Sequence, residues 1–166
     1  KFILEMKKIV KDNLENTRQY MNGGVSDEDD FDHIQETENI INKIDHQVTS
    51  FLTSLSISQL TQDSQHISTL YLEITKNLER IGDLSVNVAE FAKMVHDDND
   101  TFSQNAYNEL NEMFDALYKM LDQAFEFVET KDIITYEHIL NDEAELDTLE
   151  YQSRKNHFAR LVKKEC

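Results

Sequence analysis

The amino-acid sequence predicts an all-α protein built from long helices. Its 166 residues include no proline and only three glycines, the two residues on which tight turns most depend. Neither residue suits a helix interior, so their scarcity favours long helices joined by few loops. Apolar residues also recur at steps of three and four along most of the chain, the period of one face of an α-helix. An apolar share of 39% is enough for a core, which argues against a disordered acidic tail.

The apolar periodicity predicts five helices, at about residues 1–22, 31–55, 65–95, 102–129 and 134–166. Gly23 and Gly24 are expected to end the first helix, as glycine commonly does. The acid-rich stretch 26–32 is expected to be a solvated loop, although its residues would also suit a helix N-terminus. A polar connector is expected at 54–61, and either Thr101 or Ser103 is expected to cap the fourth helix.

The same periodicity assigns residues to the buried face of each helix. The predicted inward residues are Phe2, Met6, Ile9, Val10, Leu14, Thr17 and Met21; Ile34, Ile41, Ile44, Val48, Phe51, Leu52 and Leu55; Ile67, Leu70, Tyr71, Ile74, Leu78, Ile81, Leu84, Val88, Phe91 and Val95; Leu110, Met113, Phe114, Leu117, Met120, Leu121, Ala124, Phe125 and Val128; and Ile139, Leu140, Leu146, Leu149, Phe158 and Leu161. The six histidines are expected at the surface.

Charge limits the classes of partner. The chain carries 33 acids against 16 bases, a formal net charge of −17. Such a surface repels phosphate backbones and anionic lipid heads, so nucleic acid and direct membrane contact are poor partners. Cations or a basic protein surface suit it better. No apolar run approaches the ~20 residues of a membrane span, so membrane insertion of this segment is not expected.

The two ends of the chain bear on its setting. The single cysteine, Cys166, excludes an internal disulfide framework and favours a reducing compartment. The start at Lys1 has neither methionine nor signal-peptide design. We expect a segment of a longer protein, although processing or an unresolved start would give the same beginning.

An internal repeat predicts two units. The pattern Glu38-x-x-x-Asn42-x-x-Asp45 is answered 105 residues later by Glu143-x-x-x-Asp147-x-x-Glu150, and Met6 corresponds to Met113 at the similar offset of 107 residues. We expect a first three-helix bundle at 1–97 and a second bundle at 98–166 that lacks its last helix.

Three pairs of acidic or amide residues stand four apart, which puts both members on one helix face. They are Glu38/Asn42, Glu79/Asp83 and Glu143/Asp147. Two carboxylates at this spacing repel, and solvent, Arg80 or a bound cation could offset the repulsion. Antiparallel packing of the second and third helices would bring the first two pairs face to face. That arrangement suits a hard cation such as Mg²⁺, Ca²⁺, Mn²⁺ or iron, although spacing alone favours solvated surface acids over a metal site.

Catalytic patterns are missing from the sequence. No glutamate is followed three places later by histidine, as a ferritin-type di-iron centre requires, and no two histidines have zinc-ligand spacing. A glycine-rich phosphate loop and a nucleophile elbow are also absent. We therefore expect a protein that acts by binding and not by catalysis.

Residues 77–90 carry a family resemblance. The run Leu-Glu-Arg-Ile-Gly-Asp at 78–83, followed by Asn87 and Ala89-Glu90, resembles the PhoU family, and the likeness extends along the whole chain in helix order. That family implies tandem three-helix bundles with antiparallel long helices. It also implies metal clusters bound by Glu/Asp-x-x-x-Asp motifs, here Glu79 and Asp83 with Glu38, Asn42 and Asp45, and then Glu143 and Asp147. Iron, manganese, zinc, nickel or magnesium would be the metal.

The resemblance also implies a setting. The chain looks most like the cytoplasmic PhoU-like tail of a bacterial Na⁺/phosphate cotransporter-type membrane protein. Its partner would then be the membrane transporter portion, with homodimerisation as a further possibility, and its place the cytoplasmic side of the membrane. A free-standing PhoU regulator of a phosphate ABC transporter is the close alternative.

Two departures from the family pattern weaken the metal prediction. Asn42 stands where the family usually has aspartate, and the second unit has no sixth helix to complete the site of Glu143 and Asp147. A metal-free structural or dimerisation module therefore stays open as a competing class.

Overall fold

The computed structural model describes residues 2–23, 27–55 and 61–163. Across these ranges the chain forms five α-helices and no β-strand, which confirms the all-α prediction. The predictions for Gly24, for the first position of the 26–32 loop, for 56–60 of the connector and for Cys166 lie outside the described residues. The helices are α1 (Phe2–Gly23), α2 (Glu28–Ser54), α3 (Gln62–Asp97), α4 (Gln104–Thr130) and α5 (Ile133–Lys163).

Capping side chains set where the helices begin. Asp27 accepts hydrogen bonds from the backbone N–H groups of Asp29 and Asp30, so α2 starts at Glu28 and not near residue 31. The acids predicted as a solvated loop instead form the first turn of α2, where the positive end of the helix dipole stabilises their negative charge. Ser103 caps α4 by accepting from the Ala106 N–H, which decides between the two predicted caps.

The helices group into two compact units, Lys1–Asp100 and Thr101–Cys166. In the first unit α1, α2 and α3 pack against one another, and in the second α4 packs against α5. The core of the first unit includes Met6, Val10 and Met21 of α1 and Ile34 and Ile41 of α2, all within 1% of full burial.

The buried face of α3 consists mainly of small residues and differs from the prediction. Its buried positions are Thr75, Leu78, Gly82, Ser85, Ala89, Ala92 and His96. Of the predicted stripe only Leu78 is fully buried, and Leu84 and Phe91 are 53% and 66% exposed. Small side chains let α1 and α2 approach α3 closely, so the large apolar residues of α3 lie beside the contact and not within it.

Other burial predictions for large apolar residues were also wrong. Large apolar residues expected inside but exposed are Phe2, Phe51, Ile67, Leu70, Tyr71, Leu117, Leu140, Phe158 and Leu161. In the second unit Leu117 is 42% exposed, whereas its repeat counterpart Val10 is fully buried. The described part of the second unit has two helices to cover this position where the first unit has three. His96 was expected at the surface but is buried against Tyr20, with ring centroids 5.3 Å apart.

Candidate metal site between α2 and α3

Gly82 sets the separation of α2 and α3. A Cβ atom added at this glycine would lie 3.0 Å from Cδ1 and 3.3 Å from Cγ2 of Ile41, closer than ordinary van der Waals contact. A glycine inside an otherwise regular helix costs ~1 kcal/mol against alanine, and such a glycine commonly marks close approach by another backbone or by a ligand. The close approach is present, but the approaching group is the Ile41 side chain. The glycine therefore lets α2 and α3 pack closely at this level.

Polar side chains of both helices meet along this edge, which we call the α2/α3 seam. It comprises Glu38, Asn42 and Asp45 of α2 and Lys76, Glu79 and Asp83 of α3. The helices are antiparallel, because Glu38 interacts with Asp83 while Asp45, seven residues later, pairs with Lys76, seven residues earlier. The same register brings Asn42 to the level of Glu79.

Two carboxyl groups interact at one end of the seam. Glu38 is half-buried and its Oε1 accepts a hydrogen bond from the Asn42 carboxamide. Burial raises the pKa of Glu38, and a hydrogen bond with Asp83 together with the nearby charges of Asp83 and Glu79 raises this pKa further. Like charges brought close together across two helices raise the pKa of a carboxyl group because each disfavours the ionised form of the other. The two groups are therefore held where either a proton or a cation would relieve their repulsion.

At the other end of the seam a lysine neutralises a buried aspartate. The Asp45 side chain is 3% exposed, and its Oδ2 lies 2.5 Å from the Nζ of Lys76, whose side chain is 54% exposed. The hydrogen bond to Asp45 raises the pKa of the Lys76 ammonium, as do the negative charges of Asp45 and Glu79. Within the described ranges, Oδ1 of Asp45 is buried and has no hydrogen-bond partner.

The second predicted pair is not assembled into a comparable arrangement. Glu143 and Asp147 are both exposed on α5, and Glu150, the repeat counterpart of Asp45, pairs along its own helix with Arg154. Within the described part of the second unit, α5 packs only against α4. The structure thus brings together Glu38 and Asp83, and separately Asp45 and Lys76.

The donor types of the seam fit a hard cation, although the ligands do not converge in this structure. Carboxylate and carboxamide oxygens are the ligands that Mg²⁺, Ca²⁺ and Mn²⁺ prefer. Among the described residues, however, no three acidic, histidine or cysteine side chains are grouped so that they could hold an ion. An ion bound here would require the seam side chains to rearrange.

Sequence reasoning missed Lys76 and a polar cluster in the second unit. Lys76 precedes Glu79 by three residues and so shares its helix face, a signal that was available.

Between α4 and α5 the guanidinium of Arg160 binds Glu109 through two hydrogen bonds of 3.0 and 2.8 Å, and Asn156 donates to the same carboxylate. The Arg160 hydrogen bonds are the main reason why the pKa of Glu109 is lowered. The three side chains line an open cleft of about 420 Å³.

Comparison with known families identifies the class of protein. The profile of the PhoU domain matches residues 3–92, which is more than half of the 166-residue chain and contains the whole α2/α3 seam. The chain belongs to the PhoU family. No curated protein and no solved structure matches it.

Family membership supports part of the functional prediction. It suggests a regulatory role in phosphate homeostasis and fits a protein that is not an enzyme. In the portion of the chain that the structure describes, every helix is too short or too polar to cross a bilayer.

Proposed function

We propose that this chain is a regulatory PhoU domain that acts on phosphate transport through a membrane partner, and that a cation bound at the α2/α3 seam controls it. The observation that carries the proposal is the meeting of Glu38 and Asp83 across two helices inside the family-matched segment. Like-charged groups at such positions are destabilising unless they are protonated or bridged. A seam that keeps them together is suited to respond to cations.

Each residue of the seam has its own proposed role in binding the ion. Glu38 and Asp83 would hold the ion from opposite helices, with Glu79 and the Asn42 carboxamide as neighbouring oxygen donors. The ion would supply positive charge that offsets their repulsion, and so stabilise the packing of α2 on α3. With Glu38 unprotonated and no ion bound, repulsion would loosen this edge of the bundle. The partner we propose is the transporter portion of a Na⁺/phosphate cotransporter-type protein, at the cytoplasmic face of the membrane.

Elemental analysis and thermal melting test the cation site. Protein purified without chelator or histidine tag is compared with the Glu79→Ala/Asp83→Ala variant. The matched control is Glu143→Ala/Asp147→Ala, which removes the same two charges from exposed positions of α5. We expect bound metal, or a rise in Tm with added Mn²⁺ or Mg²⁺, in the wild type and the control but not in the seam variant. Equal responses of all three proteins, or no response in any, would refute cation binding at the seam.

Phosphate uptake tests the transport part of the proposal separately. The same seam and control substitutions are introduced into the full-length protein in its source cells, and uptake of labelled phosphate is measured at low and high external phosphate. We expect the seam substitutions to change how uptake depends on external phosphate, and the α5 substitutions to leave it unchanged. If uptake is the same with both sets of substitutions, the domain does not control phosphate transport through this seam.

A further inference from the structure

We infer that two copies of this chain associate through an exposed apolar surface on α5, with the two α5 helices antiparallel. We call this surface the α5 stripe. It consists of Ile133, Leu140, Ala144, Tyr151, Phe158 and Val162. Such an association goes beyond the proposed function, because it uses only side chains of the second unit and needs no cation.

The α5 stripe lies on the face of α5 that is turned away from α4. Asp142 and Arg160, which are buried on the opposite face, bind charged side chains of α4. The stripe residues follow one another at steps of four and seven, which keeps them on one side of the helix, about half a turn from Asp142. Tyr151, Phe158 and Val162 are 66%, 61% and 86% exposed. Exposed apolar side chains aligned in this way are typical of an interaction surface.

The internal repeat shows that a third helix of the second unit would not cover this face. At the offset of 105 residues α5 corresponds to α2, and the counterparts of the first five stripe residues are all polar. They are Glu28, Gln35, Asn39, His46 and Thr53. Four of these five are exposed, although α1 and α3 both pack against α2. A helix packed on α4 and α5 as α3 packs on α1 and α2 would therefore leave the α5 stripe open to another partner.

The distribution of charge along α5 favours a second copy as that partner. Residues 133–150 contain six acids and no lysine or arginine, whereas residues 151–163 contain four lysines and arginines and no acid. Glu137 and Asp147 lie beside the stripe in the acidic half, and Arg154 and Lys155 lie beside it in the basic half. In an antiparallel pair the acidic half of each helix faces the basic half of the other, so both halves are complementary at once.

Other partners suit only part of this helix. An anionic membrane would be repelled by the acidic half of α5, and a uniformly basic protein would be repelled by the basic half. A parallel pair of α5 helices would bring like charges together along the whole stripe. The antiparallel pair is also closed, because both copies use the same surface about a two-fold axis, so association should stop at the dimer.

Analytical ultracentrifugation of the whole chain at several protein concentrations tests the stripe. The wild type is compared with Tyr151→Ser/Phe158→Ser. The matched control is Leu84→Ser/Phe91→Ser, which removes two similarly exposed apolar side chains from α3. We expect the wild type and the control to form a dimer that dissociates on dilution, and the stripe variant to be monomeric at the same concentrations. All four side chains are exposed, so circular dichroism should show that each variant stays folded.

Exchange of charge tests the antiparallel orientation. Glu137→Lys/Asp147→Lys reverses the charge beside the stripe in the acidic half, and Arg154→Glu/Lys155→Glu reverses it in the basic half. Each variant would place like charges opposite each other when it pairs with itself, which should weaken self-association about tenfold. In an equal mixture of the two variants, opposite charges meet again at both ends of a mixed pair. We therefore expect the mixture to associate about as tightly as the wild type.

All these measurements are made in chelator, so that a cation at the α2/α3 seam has no part in them and the proposed function stands or fails separately. A wild type that is monomeric at every concentration would overturn the proposed dimer. So would a stripe variant that dimerises as tightly as the wild type, since the copies would then meet through another surface. If the mixed variants do not recover association, the helices do not pair in the antiparallel orientation.

Discussion

Replacing Gly82 with alanine tests the contact that positions the α2/α3 seam. Alanine is favoured over glycine inside a helix by ~1 kcal/mol, so helix propensity alone predicts a more stable protein. The added Cβ, however, would meet Cδ1 and Cγ2 of Ile41 at 3.0 and 3.3 Å. Ile41 is fully buried, so neither carbon has free space on its other side. Overpacking of this kind typically costs 1–3 kcal/mol, about 2 kcal/mol here. We expect a net loss of about 1 kcal/mol.

The ways in which Ile41 can move explain why the cost of overpacking should exceed the gain in helix propensity. Rotation about the outer bond of Ile41 could carry Cδ1 away from the new methyl group. Cγ2 is attached directly to Cβ and moves only by rotation about χ1, for which isoleucine in a helix has one strongly preferred rotamer. Relief therefore requires α2 to shift away from α3. That shift would also separate Glu38 from Asp83, so Gly82→Ala should weaken any response to cations together with stability.

Urea unfolding followed by circular dichroism measures the effect, in chelator so that bound metal does not contribute. The matched background is Ile41→Ala, which removes Cγ2 as well as Cδ1 and should itself cost about 2–5 kcal/mol. In that background Gly82→Ala should be neutral or stabilising, so the two substitutions should show a coupling of about 1–2 kcal/mol. A Gly82→Ala protein as stable as the wild type, or purely additive effects in the double variant, would refute the reasoning.

Three further predictions concern single side chains. The raised pKa of Glu38 means that its contribution to stability is present below its unfolded pKa and declines as pH rises through its folded pKa. Glu38→Gln should therefore raise the free energy of unfolding by a few tenths of a kcal/mol at pH 7 but change it little in acid. Urea unfolding at both pH values would show this difference. Arg160→Met should cost about 2 kcal/mol, because it leaves the Glu109 carboxylate without its two charged hydrogen bonds; equal midpoints of unfolding for variant and wild type would contradict this. Ser103→Ala should cost ~1 kcal/mol by removing the α4 cap, measurable as a lower thermal midpoint of the second unit.

The identity of the helices could be predicted from the sequence because their causes are local. The scarcity of proline and glycine and the three- and four-residue steps placed all five helices, and Ser103 was among the predicted caps. The start of α2 was misplaced by three residues, because the cap at Asp27 depends on a single side chain accepting two backbone N–H groups. Nothing in apolar periodicity reports such a bond.

The buried face of α3 could not be predicted from the local sequence. Periodicity favoured the large apolar residues, since burying them removes the most apolar surface from water. The structure buries Gly82, Ser85, Ala89 and Ala92 instead, because two neighbouring helices must approach the same face closely. A choice of this kind depends on the shapes of three helices together and not on the hydrophobicity of one.

The candidate site likewise depends partly on local sequence and partly on tertiary packing. Spacing along one helix determined that Glu38 and Asn42, and Glu79 and Asp83, share a face, because the helix period is fixed. The antiparallel register of α2 and α3 decided that Glu38 meets Asp83 and that Asp45 meets Lys76. The sequence by itself thus determined an acidic, all-α chain with its carboxylates in pairs. Only tertiary packing decided which pairs meet and which of them a lysine neutralises, since contacts between residues distant in the chain depend on how whole helices fit.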